Sequence, residues 1–88
     1  MSLKIEFENL LSKLDNQREE LQLQLHLASL EAKEEFEEAE QKWQQIKTKA
    51  SEIADESIET SEEFIAKAKM VGDELKDTYH RIAKRLSE

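Results

Sequence analysis

Apolar and small residues recur at alternating steps of three and four along most of the chain. The first series is Leu11, Leu14, Leu21, Leu25, Ala28, Ala32, Phe36, Ala39, Trp43, Ile46, Ala50 and Ile53, with Arg18 at its one polar position. A second series with the same spacing is Phe64, Ala68, Val71, Leu75, Tyr79, Ile82 and Leu86. Such spacing puts one residue per turn on the same side of an α-helix and is typical of coiled coils. The pattern predicts an all-α protein.

Large apolar residues nearly vanish between the two series, in residues 54–63, which read ADESIETSEE. If the chain turns back there, position 36 pairs with 79, 43 with 71 and 50 with 64 in one antiparallel register. This predicts a single coiled-coil domain over 1–88, a long antiparallel helical hairpin with helix 1 at about 3–54, a turn at about 55–60 and helix 2 at about 61–87. The segment lacks Gly and Pro, so the alternative is one continuous long helix in an intermolecular coiled coil.

Local chemistry around the gap agrees with the hairpin. Thr60 and Glu63 have the spacing of a capping box, which would start the second helix. The hairpin register sets the six Glu of residues 31–40 beside bases of the second helix. These bases are Lys76, Arg81 and Lys84. The register also places Gly72 opposite Trp43, where a missing side chain would admit the indole.

The segment LQLQLHLASL is the most apolar part of the chain. On a helix it places Leu21, Leu25 and Ala28 on one stripe, and a second stripe carries Leu23, Leu27 and Leu30. Alternation of this kind also occurs in strands, but a lone short strand has no partner to bond with. A helical face this wide exceeds what one neighbour can cover. It predicts self-association into a dimeric helical bundle.

The composition and net charge limit the classes of partner expected for this chain. The net charge is −8, with 39% charged residues and no Cys, so phosphate backbones and anionic membranes are repelled and no disulfide or thiolate site can form. We therefore expect no nucleic acid among the partners, and a membrane is disfavoured. With no signal-peptide pattern at the N-terminus and no run of about 18 apolar residues, we expect a soluble, cytoplasmic protein.

Candidate chemistry is sparse. His26 and His80 are the only histidines, and neither stands in a metal-binding motif. The sequence therefore predicts no catalytic, cofactor-binding or metal-binding residues, and we expect no enzyme. The aromatic residues Phe36, Trp43 and Tyr79 lie at seam spacing and are expected in the core. Arg18 is expected to pair with a Glu of another helix and fix register, or to keep its head in water.

These features favour a small structural coiled-coil protein for protein–protein interaction, whose partners are a second copy of the chain, as a dimer, and another protein. The alternative is an amphipathic helical binder of lipid or other apolar surfaces. The eleven-residue spacing from Ala28 to Ala39 is similar to repeats of apolipoprotein-like and stress-protective helices, and this similarity covers about a dozen residues. A metal-binding helical bundle is a third hypothesis.

Overall fold

The computed structural model describes residues 2–55 and 57–87 and is built from helices, with no strand in those ranges. The α-helices are α1 (Leu3–Gln24), α2 (Leu30–Ala54) and α3 (Glu62–Leu86), and a 3₁₀ turn at Leu25–Leu27 follows α1. The predicted all-α class is confirmed. Three predicted positions lie outside the described residues: Met1 and Glu88 of the domain, and Glu56 of the turn.

The chain bends between α1 and α2, so the prediction of one helix over about 3–54 is wrong. Ala28 and Ser29 both have extended backbone, with ψ angles of 159° and 162°. Ser29 begins the new helix as its N-cap, because its hydroxyl oxygen accepts a hydrogen bond from the Ala32 N–H at 3.3 Å. The predicted first helix is therefore two antiparallel helices.

The three helices form an up-down-up bundle. Arg18 in α1 contacts Glu40 in α2, while Glu6 near the start of α1 contacts Lys69 near the start of α3. Gln17 in α1 likewise lies beside His80 in α3, with the same separation along the chain as Glu6 and Lys69, so α1 and α3 are parallel. Since α2 and α3 form an antiparallel hairpin, α1 and α2 are antiparallel. The molecule measures 43 × 22 × 18 Å, far less than the roughly 125 Å of a single helix over the same residues. The alternative of one continuous long helix is therefore wrong for this chain.

The α2–α3 hairpin has the predicted antiparallel register. The rings of Phe36 and Tyr79 stack with centroids 6.4 Å apart, as the pairing of positions 36 and 79 requires. The base that meets the acidic segment is Arg85, which contacts Glu31 at 3.1 Å and Glu35 at 2.9 Å. It does so because it lies in the last turn of α3, level with the first turns of α2. Of the bases predicted beside this segment, Arg81 lines a pocket together with Glu35 and Glu38. Lys76, Arg81 and Lys84 form no ion pair among the described residues.

Asp55 ends α2 and starts the turn. Its carboxylate oxygen Oδ1 accepts hydrogen bonds from the Ser57 N–H at 2.9 Å and the Ser57 hydroxyl at 2.6 Å, and these bonds lower the pKa of Asp55. An Asx turn of this kind starts a chain reversal, and none of the described residues of the segment, 55 and 57–61, has a positive φ that would favour Gly. The next helix starts one residue later than the predicted capping box, because Ser61 accepts from the Phe64 N–H.

The core runs along all three helices, and Gly72 lies where α3 meets Leu10 and Leu14 of α1. A Cβ atom at Gly72 would lie 2.7 Å from Leu10 Cδ2, so Gly72 accommodates Leu10 and not Trp43 as predicted. The sequence-based placement erred because it gave α3 only one neighbouring helix. The buried apolar residues are Phe7, Leu10, Leu14, Leu21, Ala32, Phe36, Ala39, Trp43, Ile46, Ile53, Ile65, Ala68, Leu75, Tyr79 and Ile82.

Replacing Gly72 with Leu should destabilise the bundle by at least about 2 kcal/mol, because the added side chain overlaps Leu10 in a packed interface. Leu is intrinsically about 1 kcal/mol better than Gly in a helix, so the same change without a clash would stabilise the fold. Urea unfolding followed by circular dichroism measures the difference. Glu74→Leu, at an exposed position of the same helix, is the matched control. Equal stability of Gly72→Leu and the wild type would contradict the close α1–α3 approach.

Candidate binding groove between α1 and α2

Arg18 and Glu40 form a two-point ion pair between α1 and α2. Arg18 Nε donates to Glu40 Oε1 at 2.5 Å, and Arg18 Nη2 donates to Glu40 Oε2 at 2.7 Å. The hydrogen bonds to Glu40 raise the pKa of Arg18, against an opposing effect of burial. The guanidinium also lies over the ring of Trp43, 5.8 Å from its centroid, within cation–π range. The expectation that Arg18 pairs with a Glu of another helix is confirmed.

The third helix brings a buried phenol to the same level of the bundle. Tyr79 is buried, and its hydroxyl has no hydrogen-bond partner among the described residues. Burial raises the pKa of Tyr79 far above its usual range, and the negative charge of Glu40 adds to this effect. Gln17 Oε1 is likewise buried without a partner, while Gln17 Nε2 lies 3.4 Å from His80 Nε2. Two buried polar atoms, Gln17 Oε1 and the Tyr79 hydroxyl oxygen, thus lack a hydrogen-bond partner among the described residues.

Next to the ion pair, an open groove of about 540 Å³ separates α1 from α2. Its floor is apolar, because Phe7, Trp43 and Ile53 are buried there and Leu11 and Ala50 are half-buried. Arg18 lies at one end. The distance along α1 from Phe7 to Arg18 is about 17 Å, or three helical turns. The remaining lining residues are Glu8, Ser12, Asp15, Lys47, Ser51 and Ala54.

The two edges of the groove differ in charge. The α1 edge carries the exposed acids Glu8 and Asp15, and the α2 edge carries the exposed base Lys47. Apolar surface between charged edges is the usual composition of a surface that receives an amphipathic helix. The groove therefore has a hydrophobic floor, an acidic edge on α1 and a basic edge on α2.

A second apolar surface lies at the corner where α1 turns into α2. Leu23, Leu27 and Leu30 are 75%, 84% and 73% exposed. These are the residues of the second stripe in LQLQLHLASL, and no described residue covers them. The other stripe behaves differently, since Leu21 is buried and Leu25 packs against the core.

The histidines and aromatic residues singled out in the sequence do not gather at one site. His26 is exposed in the 3₁₀ turn, and His80 is exposed on α3. No group of three or more possible metal ligands gathers within residues 2–55 and 57–87. Phe36, Trp43 and Tyr79 are buried, as expected of core residues, but Trp43 also lines the groove. The groove does not follow from the apolar spacing, because that spacing continues from α1 into α2 as in one straight helix.

The fold and the groove define a three-helix bundle with an open cleft between its first two helices. None of the described helices combines the length and apolar character needed to cross a membrane. Comparisons of the chain with protein-family models, curated proteins and solved structures gave no match. The proposals below therefore depend on the chain's own residues.

The Arg18–Glu40 pair should show a coupling energy of about 1–2 kcal/mol in a double-mutant cycle, because its charged hydrogen bonds are well aligned and its side chains are only 21% and 27% exposed. The variants are Arg18→Met, Glu40→Gln and the double mutant, with stability measured by urea unfolding. The matched control is Lys67→Met with Glu63→Gln, whose side chains are 69% and 80% exposed. That pair should couple by less than about 0.5 kcal/mol. Equal coupling in both cycles would show that Arg18 is an ordinary surface charge.

Tyr79→Phe should raise the free energy of unfolding at neutral pH by about 1 kcal/mol, because it removes a buried hydroxyl that lacks a partner and keeps the ring stacked on Phe36. The pH dependence has a definite sign. The folded protein retains the phenol proton that the unfolded chain releases near pH 10, so titration of Tyr79 costs no stability below about pH 10, and the free energy of unfolding falls as the pH rises further.

The wild type should therefore lose more stability than Tyr79→Phe between pH 9 and pH 11, as measured by urea unfolding (the range spans the usual phenol pKa of about 10). Tyr79 is the chain's one tyrosine, so the near-ultraviolet absorbance of tyrosinate reports it alone. That absorbance should appear together with unfolding. Titration of Tyr79 near its ordinary pKa in the folded protein would contradict its burial.

Proposed function

We propose that this protein is an interaction module that binds an amphipathic helix of another protein in the groove between α1 and α2. The observation that carries the proposal is the apolar floor around Trp43 between an acidic and a basic edge. The assigned activity is binding without catalysis. A docked helix would supply a fourth member of the bundle, an arrangement in which each helix has two neighbours.

The size of the groove supports a helix as its occupant. Three turns of floor match anchor side chains spaced three, four and seven residues apart, the spacing by which helices bind in grooves. The volume of about 540 Å³ accommodates a few large apolar side chains, and the open top leaves the helix backbone outside. Trp43 is the expected main contact, because buried aromatic residues dominate the binding energy of such surfaces.

The charges of the edges restrict the partner. Glu8 and Asp15 favour Lys or Arg along one side of the docked helix, and Lys47 favours Glu or Asp along the other. A helix with acids on both sides would be repelled by the α1 edge. The expected partner segment is thus amphipathic with mixed charges on its two flanks.

Self-association of the chain is also part of the proposal. The exposed corner of Leu23, Leu27 and Leu30 supports it, since contiguous exposed leucines commonly mark an interaction surface. The same corner supports the alternative of an apolar-surface binder, and the two ideas differ in whether neutral lipid vesicles retain the protein during sedimentation.

The test uses two designed helical peptides without tryptophan, each about three heptads long with a leucine seam. One carries Lys on one flank and Glu on the other, and the second carries Glu on both flanks. The mixed peptide should bind with micromolar affinity, at least about tenfold tighter than the acidic peptide. The fluorescence of Trp43, the chain's one tryptophan, and titration calorimetry report binding.

Matched variants locate the site. Ser51→Arg places a long side chain over the groove floor and should abolish binding, because Ser51 lines the groove from α2. Gln44→Arg makes the same change at an exposed position of α2 outside the groove lining and should leave binding intact. Equal binding of both peptides, or equal binding by both variants, would overturn the proposed groove function.

A further inference from the structure

We infer that two copies of this chain form a domain-swapped dimer in which the bend between α1 and α2 straightens and each copy's α1 packs into the bundle of the other. The partner is a second copy of the chain, and the α1–α2 connection, residues 25–29, is the hinge. The inference is independent of what the groove binds.

The apolar seam supports a straight form of the hinge. Leu21, Leu25, Ala28 and Ala32 follow one another at steps of four, three and four, which is the spacing of an uninterrupted helix. The hinge contains no Gly and no Pro, and no residue of it has a positive φ. Nothing in its sequence therefore requires the bend.

The bent hinge also leaves backbone groups without helical partners. The Ala28 N–H donates to the Leu25 carbonyl in a tight turn at 3.0 Å, and the N–H groups of residues 29–31 stand at the start of α2, where no intrahelical acceptor exists. Ser29 compensates only in part, since its hydroxyl bonds the Ala32 N–H. A straight hinge gives all these N–H groups acceptors four residues back.

The antiparallel arrangement of α1 and α2 makes the exchange geometrically neutral. Arg18 and Glu40 lie equally far, 11 residues each, from residue 29 at the hinge, so two straightened chains related by a twofold axis at residue 29 restore the same pair between chains. The parallel contacts of α1 with α3, such as Glu6 with Lys69, are restored in the same way. Each groove then has Arg18 from one copy and Trp43 from the other.

Near the twofold axis the swap adds contacts that the single chain lacks. Continuing the antiparallel register of Arg18 with Glu40 brings Ala28 of one copy beside Leu30 of the other. Leu25 and Ala28 are only half-buried in the single chain. The added contacts cover part of Ala28 and of Leu30, which is 73% exposed in the single chain.

Two hinge variants shift the equilibrium in opposite directions. Leu30→Pro fits the bent form, because Leu30 is the first residue of α2, is 73% exposed and follows an extended Ser29. Because Pro is unfavourable inside a straight helix, Leu30→Pro should lower the equilibrium constant for the swapped form roughly a hundredfold per chain. Ser29→Ala removes the N-cap of the bent form. This loss should raise the equilibrium constant for the swapped form about fivefold per chain, and about 25-fold for the two hinges of a dimer. Leu30→Ala is the matched control for loss of the leucine.

The proteins are refolded from denaturant at high concentration, so that exchange is not kinetically trapped, and are separated by size with light scattering. The dimer fraction should rise from Leu30→Pro through the wild type to Ser29→Ala, and Leu30→Ala should retain the dimer. Circular dichroism verifies that Leu30→Pro is folded. An unchanged dimer fraction across the series, or monomer throughout, would overturn the inference.

Spin labels distinguish the swapped dimer from a side-by-side dimer. The chain has no native Cys, so Asp15→Cys and Lys47→Cys label opposite edges of the groove. In dimers diluted with unlabelled chains, the intrachain separation should be about 48 Å, as for 32 residues of straight helix. In dimers mixed from the two singly labelled chains, the separation should be short, across the groove. A short intrachain separation in the dimer would show that the helices are not exchanged.

Discussion

Burial of the apolar stripe of α1 against α3 determines the shape of this protein. A straight continuation of α1 into α2 would leave that stripe beyond the end of α3, because α2 and α3 have equal lengths of 25 residues. Four large side chains would then be exposed, and burying them is worth on the order of 6–12 kcal/mol in total. Bending forfeits about four helical hydrogen bonds, each worth about 1 kcal/mol net. Burial therefore exceeds the cost of the bend within a single chain. The four side chains are Phe7, Leu10, Leu14 and Leu21.

The groove is a consequence of the same bend. The short connection holds one end of α1 close to α2, and the Arg18–Glu40 pair holds their middles together. Beyond Arg18 the structure has no comparable α1–α2 ion pair among the described residues, and the two helices leave an open cleft toward Phe7 and Ile53. Phe7, Trp43 and Ile53 on the floor are buried, and the half-buried Leu11 and Ala50 form the part of the floor that is open to solvent. A three-helix arrangement thus provides the core, and the cleft is where a fourth helix would complete it.

The sequence predicted those features that depend on periodicity and local turn chemistry. The helical class, the turn within ADESIETSEE and the Phe36–Tyr79 pairing all follow from spacing along the chain. The bend did not follow, because the seam passes through residues 25–29 without a change of step. One signal was present: Ser29 precedes Leu30 and Glu31 much as Ser2 precedes the start of α1. Such a serine can cap a helix or lie inside one. Which of the two occurs depends on how much apolar surface the bend buries elsewhere in the fold, and the spacing of residues along the chain does not contain this information. The groove and the contact of Gly72 with Leu10 were missed for the same reason, since both require the third helix.

Arg18 favours one register of α1 relative to α2. A seam of similar apolar residues permits helices to slide by one heptad with little loss of packing. Sliding α1 by seven residues in either direction would bring Arg18 opposite Lys33 or Lys47 in place of Glu40. Like charges at close range would replace a two-point ion pair, and an apolar residue of α1 would meet Glu40. An apolar residue at position 18 would avoid the cost of a partly buried charge, but it would not discriminate among these registers. The pair therefore contributes more to the uniqueness of the fold than to its stability. It acts in the same way whether α1 belongs to the same chain or to a second copy, because the register relative to Glu40 is identical in both.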